Sequence, residues 1–237
     1  MTLLFFVYKP QETRNSSEDL IVGTNSEFVP FSFIENGEIV GFDIDVAKEV
    51  CLRLKKNCVL KDMPFDALIP DLSFGNVDFI AAGMSWTEER AKRVSFTEPY
   101  LSHDPLVIFS LSNQDNTTLD SLAGKTVVVN EGYTADLFLT ERGDLDLIRL
   151  SAPADAFLAV MHGRADAFVT AESTVNSFLE NQDSTMYRYH VIEGVDENCA
   201  IVVSKNKPIL LENIQSALYA MENDGTMDRL KHKWKLQ

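Results

Sequence analysis

Arg90 stands where a cation is out of place. Thr87 reads as a helix N-cap, with Glu88 and Glu89 in the first turn behind it. Arg90 falls in that same turn, where the helix dipole disfavours positive charge. Such an arginine gains most by meeting an anion. A carboxylate there would receive its bidentate fork, the hydroxyl of Ser85 and free amides at the end of the preceding strand. The alternative is a surface ion pair with Glu88, Glu89 or Glu98. Two runs frame this position: Ala81-Ala82-Gly83-Met84-Ser85-Trp86-Thr87-Glu88-Glu89-Arg90, and the earlier Gly23-Thr24-Asn25-Ser26-Glu27-Phe28-Val29-Pro30-Phe31, followed by Val40-Gly41-Phe42-Asp43-Ile44-Asp45. Each reads as a strand that ends in small and aromatic residues and opens into a loop or helix. In an open α/β sheet, ligands bind at such strand ends.

Catalytic patterns are missing from the chain. It contains no Gly-x-Ser-x-Gly, phosphate loop, His-Glu-x-x-His or Gly-x-Gly-x-x-Gly. His103, His162, His190 and His232 fall in unrelated contexts, and none is paired with a nucleophile. No two cysteines have the Cys-x-x-Cys spacing, so zinc and thioredoxin chemistry are not expected. The expectation is a binding protein with no catalytic residue, no metal and no cofactor.

The elements that must position these groups follow from the hydrophobic pattern. Strands are predicted at 20–23, 59–61, 78–82, 106–110, 125–129, 145–150, 167–170 and 200–204. Helices are predicted at 43–54, 65–72, 133–141, 153–162, 173–179, 208–223 and 227–234. Val46, Ala47, Val50, Cys51 and Leu54 share one helix face, and Pro208 suits a first helical turn. The alternation implies parallel strands with crossover helices, hence α/β layers in two successive series.

The 237 residues suffice for two lobes of ordinary size. Hydrophobic residues at 45% and charged residues at 24% fit a packed soluble protein. A net charge of −15 argues against a nucleic-acid backbone or an anionic membrane as partner. It is compatible with a cationic ligand, although solvated surface acids account for most of it. No apolar run is long enough to span a bilayer. Leu3-Leu4-Phe5-Phe6-Val7 is apolar but lacks the basic start and small-residue cleavage site of a signal sequence. The polar stretch behind it is expected to be mobile. The matches to the glycosylation pattern at Asn15 and Asn116 carry no weight.

These runs, together with Phe65-Asp66-Ala67-Leu68-Ile69-Pro70, Arg164-Ala165-Asp166-Ala167 and Asn223-Asp224-Gly225-Thr226, resemble the amino-acid-binding, periplasmic-type solute-binding proteins of ABC importers. The nearest kinds are the glutamine, arginine and lysine/arginine/ornithine/histidine binders. The likeness runs from about Leu20 to Trp234. It implies a two-lobed periplasmic-binding-protein type II fold, each lobe a mostly parallel sheet flanked by helices and joined to the other by a two-strand hinge. The expected division is a mobile segment at 1–19, lobe I at 20–100 and 201–237, a hinge at 101–105 and 196–200, and lobe II at 106–199.

The resemblance also assigns roles. Arg90 would hold the ligand carboxylate, with Ser85, main-chain groups of Ala82 and Gly83, and the amide of Thr134 at a helix start. Phe28 and Phe65 match the aromatic positions that sandwich the ligand side chain. A guanidinium between them would gain about 1 kcal/mol from cation–π attraction. Asn25 stands where many relatives carry an acidic residue that reads the side chain. Ala171 stands where most carry the aspartate that binds the ligand amine, and Glu172 is the nearest carboxylate that could replace it. Glu27, Asn130 and Glu131 are pocket-edge residues expected at the surface. Cys51 and Cys58 match a disulfide of the lysine/arginine/histidine binders, with two buried thiols as the alternative, and Cys199 is left over.

The function implied is capture of a polar L-amino acid outside the inner membrane by a monomer, for delivery to an ABC permease. The neutral Asn25 leans the ligand slightly towards glutamine over arginine. The protein is expected in the periplasm, and any membrane association would come through a segment not present in this chain. A cyclohexadienyl or arogenate dehydratase on the same fold is the enzymatic rival, with Glu172 or Glu131 as its acid. A ligand-binding sensor domain is the third reading.

Overall fold

The computed structural model describes residues 18–236. The apolar run near the start, Asn15 and nearly all of the 1–19 segment lie outside the described residues.

Two five-stranded sheets organise the chain. The first runs β5 (Asn57–Asp62), β1 (Asp19–Thr24), β6 (Phe79–Ile80), β13 (Val202–Ser204), β7 (Val94–Phe96). β1 is parallel to β5 and β6, and β13 is antiparallel to both its neighbours. Helices α1 (Phe42–Arg53), α2 (Leu68–Phe74), α7 (Pro208–Asn223) and α8 (Thr226–Lys233) accompany it. Val46, Ala47, Val50 and Cys51 form the buried face of α1, and Asp43 and Asp45 stand in its first turn, where the dipole favours them.

The second sheet runs β10 (Asp146–Leu150), β9 (Thr126–Asn130), β11 (Ala167–Ala171), β8 (Leu101–Leu111), β12 (Tyr187–Cys199). Helices α4 (Thr134–Arg142), α5 (Pro153–Met161) and α6 (Glu172–Leu179) cover it. Successive residues of a strand face opposite sides. Leu106, Ile108, Val127 and Val129 therefore join one core, while Val107, Phe109 and Val128 join another. Burial on both faces explains the uninterrupted apolar runs of these strands.

Three features depart from the sequence pattern. Residues 27–40 fold into a small antiparallel sheet of β2 (Glu27–Phe28), β3 (Ser32–Glu35) and β4 (Glu38–Val40), where a loop was expected. β7 was not anticipated. Neither was β12, the longest strand, which pairs antiparallel with β8. The second sheet is therefore only partly parallel. β12 lies at the sheet edge with only a few of its residues buried, so it carries no apolar run to announce it.

The chain passes between the sheets along paired strands. β8 already begins at Leu101, and the ladder pairs Leu101 with Cys199, Asp104 with Glu197 and Pro105 with Asp196. The result is two α/β lobes joined by two neighbouring strands. Among the described residues no helix is long and apolar enough to cross a membrane.

Candidate functional site

Arg90 sits in the short helix α3 (Glu88–Arg93), whose N-cap Thr87 accepts the Arg90 amide at 3.2 Å. Its side chain is buried and turns back beneath the preceding strand end. Nη1 donates to the Ser85 carbonyl at 2.7 Å, and Nη2 reaches across to the Gly132 carbonyl of the other lobe at 2.8 Å. The guanidinium carbon lies 5.4 Å from the centre of the Phe65 ring. Burial lowers the guanidinium's pKa, and the charge of Glu197 works against that.

Glu197 is the carboxylate of this cluster. It stands on β12, buried, with Cys199 on the same inward face. Its Oε2 accepts the hydroxyl of Thr134 at 3.0 Å and, in a short hydrogen bond, the hydroxyl of Ser85. Ser85 Oγ in turn accepts the Asn198 amide at 2.9 Å. Burial pushes the Glu197 pKa up, while Ser85, the Arg90 charge and Thr134 pull it down. Two hydroxyls, one from each lobe, and a nearby guanidinium thus converge on a single carboxylate. Sequence reasoning passed over Glu197. The available signal was its alternation with Cys199 along a strand that had not been recognised.

A flat slot adjoins this anion site through Phe65. Phe28 stacks on Phe31, with ring centres 4.8 Å apart. Tyr133, the N-cap of α4, enters from the other lobe. Its ring lies 4.2 Å from Phe65, tilted by 30°, and 5.2 Å from Phe28, edge to face. Its hydroxyl donates to Asn25 Oδ1 at 2.9 Å, while Asn25 Nδ2 donates to the Met63 carbonyl at 3.2 Å. Tyr133 is 6% exposed and packs within the first lobe's core.

Gly83 shapes the floor between these parts. At φ +60° it occupies a conformation that favours glycine, and a Cβ there would meet the Phe28 ring at 2.6 Å. Its amide, expected to face a ligand, instead makes a short hydrogen bond to Asp43 Oδ2. Tyr100 donates to the other oxygen of Asp43 at 2.7 Å. Burial pushes the Asp43 pKa up to about 7, against the Tyr100 and Gly83 hydrogen bonds. Asp43 therefore fixes the Gly83 turn from below. Ala82 is buried beside it.

The remaining expected residues divide. Asn25, Phe28, Phe65, Ser85, Arg90 and Thr134 come together, although Thr134 acts here through its hydroxyl. Glu172 does not join them. It lines a separate cavity of about 420 Å³ with Asp104, Ser173, Tyr189 and Lys235. Ala171 is buried at the end of β11. Glu27 and Glu131 are exposed, as expected, but Asn130 is buried and donates to the Leu150 carbonyl at 3.1 Å. The expected bond between Cys51 and Cys58 is absent. Both are thiols, with Cys51 buried on α1 and Cys58 donating to the Ala47 carbonyl at 3.6 Å. Cys199 is free and buried.

Comparison with known proteins agrees with this architecture. Residues 20–237 match the family described as bacterial extracellular solute-binding proteins, family 3. The "ABC transporter arginine-binding protein 1" of Escherichia coli (strain K12) is 29% identical over 225 residues, covering 93% of this chain and 92% of that protein. The structure of holo ArgBP from T. maritima is 38% identical with a TM-score of 0.81, over 92% of this chain and 96% of that one. An ancestral arginine-binding protein, solved bound to arginine and bound to glutamine, is 34% identical with TM-scores of 0.85 and 0.84, over 91% of this chain and 97% of that one.

Proposed function

The chain belongs to the bacterial extracellular solute-binding proteins, family 3, and from that premise we propose that it captures a polar L-amino acid, arginine before glutamine, for an ABC transporter permease. It is a binder and not a dehydratase, because the family is one of solute-binding proteins. The observation that carries the reading is the convergence of two groups across the lobes. Arg90, Ser85, Thr134 and Glu197 meet at one place, and Asn25, Phe28 and Phe65 meet beside it.

The ligand carboxylate takes the two hydroxyls of Ser85 and Thr134 and the charge of Arg90. Glu197, released from those hydroxyls, faces the ammonium. This gives the amine a carboxylate partner although Ala171 offers none and Glu172 lies elsewhere. The side chain enters the slot between Phe28 and Phe65. Asn25 Oδ1 accepts a donor there, so the tip must donate, as a guanidinium or an amide does and a carboxylate does not. Burial raises the pKa of the Tyr133 hydroxyl in the slot, and the negative charges of Glu27 and Glu197 add to that. A cation profits from that field, which ranks arginine above glutamine.

The lobes in this proposal are 20–100 with 201–237, and 106–199, bending at 101–105 and 196–200. The ligand touches both lobes only when they are closed, and so biases the hinge towards closure. The protein works as an exported monomer that presents its closed form to a permease in the inner membrane. A calorimetric competition series with arginine, glutamine, lysine, leucine and glutamate tests the pocket. Arginine or glutamine should bind tightest, and first place for leucine or glutamate would overturn the assignment.

A further inference from the structure

Tyr133 fills the place that the ligand side chain needs. Its ring lies against Phe65 and meets Phe28 edge-on, its hydroxyl satisfies Asn25, and it is only 6% exposed. At the adjoining site Glu197 already accepts the hydroxyls of Ser85 and Thr134. A flat, hydroxyl-tipped ring and a carboxylate thus satisfy together the groups that an amino acid would satisfy. Two side chains cannot occupy one slot at packing density.

We propose that Tyr133, with Glu197, is a built-in surrogate ligand that holds the lobes together until an amino acid displaces it. The proposal rests on the reading of the cleft as an amino-acid site. It makes Tyr133 the residue that sets the affinity threshold and the ligand class. A ligand must outbid an aromatic ring with a donor at its tip. An arginine does so by adding a charge that the field of Glu27 and Glu197 favours. A short aliphatic side chain offers Asn25 no donor and leaves it unsatisfied, so it does not displace the ring. The Arg90 bond to the Gly132 carbonyl anchors the same loop, and that contact must also loosen when Tyr133 leaves.

Two measurements on the full chain test this: small-angle scattering without added amino acid, and calorimetry with L-arginine. Tyr133→Ala removes the ring and should enlarge the radius of gyration relative to the parent. It should also tighten arginine binding by roughly tenfold or more, because the competing internal state is lost. Tyr133→Phe keeps the ring and loses only the Asn25 hydrogen bond, so its gain should be smaller and its scattering close to that of the parent. Identical scattering of the parent and Tyr133→Ala overturns the surrogate, whether or not arginine binds. Weaker arginine binding by Tyr133→Ala also overturns it, since Tyr133 would then be a ligand contact. Expansion of Tyr133→Ala with no amino acid bound by either protein supports the surrogate and removes the amino-acid reading instead.

Discussion

Asp43 should make this protein less stable as the pH rises from about 4 to about 7. Its carboxylate is fully buried, accepting the Gly83 amide and the Tyr100 hydroxyl, and burial raises its pKa from 3.8 to about 7. A carboxylate whose pKa is higher folded than unfolded binds more protons in the folded state between those two values. Its contribution is therefore most favourable below pH 3.8 and is lost as the pH rises through about 7. The gap is about three pH units, and each is worth about 1.4 kcal/mol, so the whole swing is roughly 4 kcal/mol. Asp43→Asn isolates it. The amide oxygen can accept from Gly83 and the amide nitrogen can donate to Tyr100 Oη, so both neighbours keep a partner without a charge, and the reversed Tyr100 bond is a pH-independent offset. Urea unfolding of parent and variant from pH 4 to pH 8 gives the difference directly. The variant should gain on the parent by roughly 1.4 kcal/mol per pH unit across the middle of this range, and the gain should level off above pH 7. Parallel stability profiles for the two proteins would refute the reasoning, because the carboxylate would then titrate alike in the folded and unfolded chains.

Arg90→Ala should weaken arginine binding by roughly 2–5 kcal/mol in calorimetry, since a desolvated carboxylate would lose its cationic partner; binding as tight as the parent's would move the carboxylate site elsewhere. Glu197→Gln should cost roughly 1.5–3 kcal/mol of arginine binding beyond any change in melting, because the ligand ammonium would lose its charged partner. Matching losses in melting and binding would make Glu197 a structural residue.

The elements that announced themselves were those set by local pattern. The buried face of α1, the Pro208 start of α7 and the doubly buried strands β8, β9 and β11 all follow from periodicity or turn chemistry. Arg90 was legible for a related reason. A cation in the first turn of a helix is a local contradiction, and Thr87 fixed where that turn began. β12 escaped because only a few of its side chains are buried, and burial is what writes a strand into a sequence. Glu197 escaped with it, since its role depends on which way that strand's side chains point.

Tyr133 illustrates the larger limit. Read alone, Gly132-Tyr133-Thr134 is a helix start, and attention falls on Thr134. Yet an N-cap residue has extended backbone angles, here φ −73° and ψ 167°, so its side chain leaves the helix instead of packing along it. A small polar residue at that position would cap the helix. A tyrosine cannot, and no side-chain cap is formed here. It must bury its ring elsewhere, and the slot of Phe28 and Phe65 in the opposite lobe receives it. The poor cap is thus the local trace of a contact made across the cleft. The contact itself depends on the register of two strands that lie far apart in the chain, Leu101 opposite Cys199, and no neighbour of Tyr133 in the sequence carries that information.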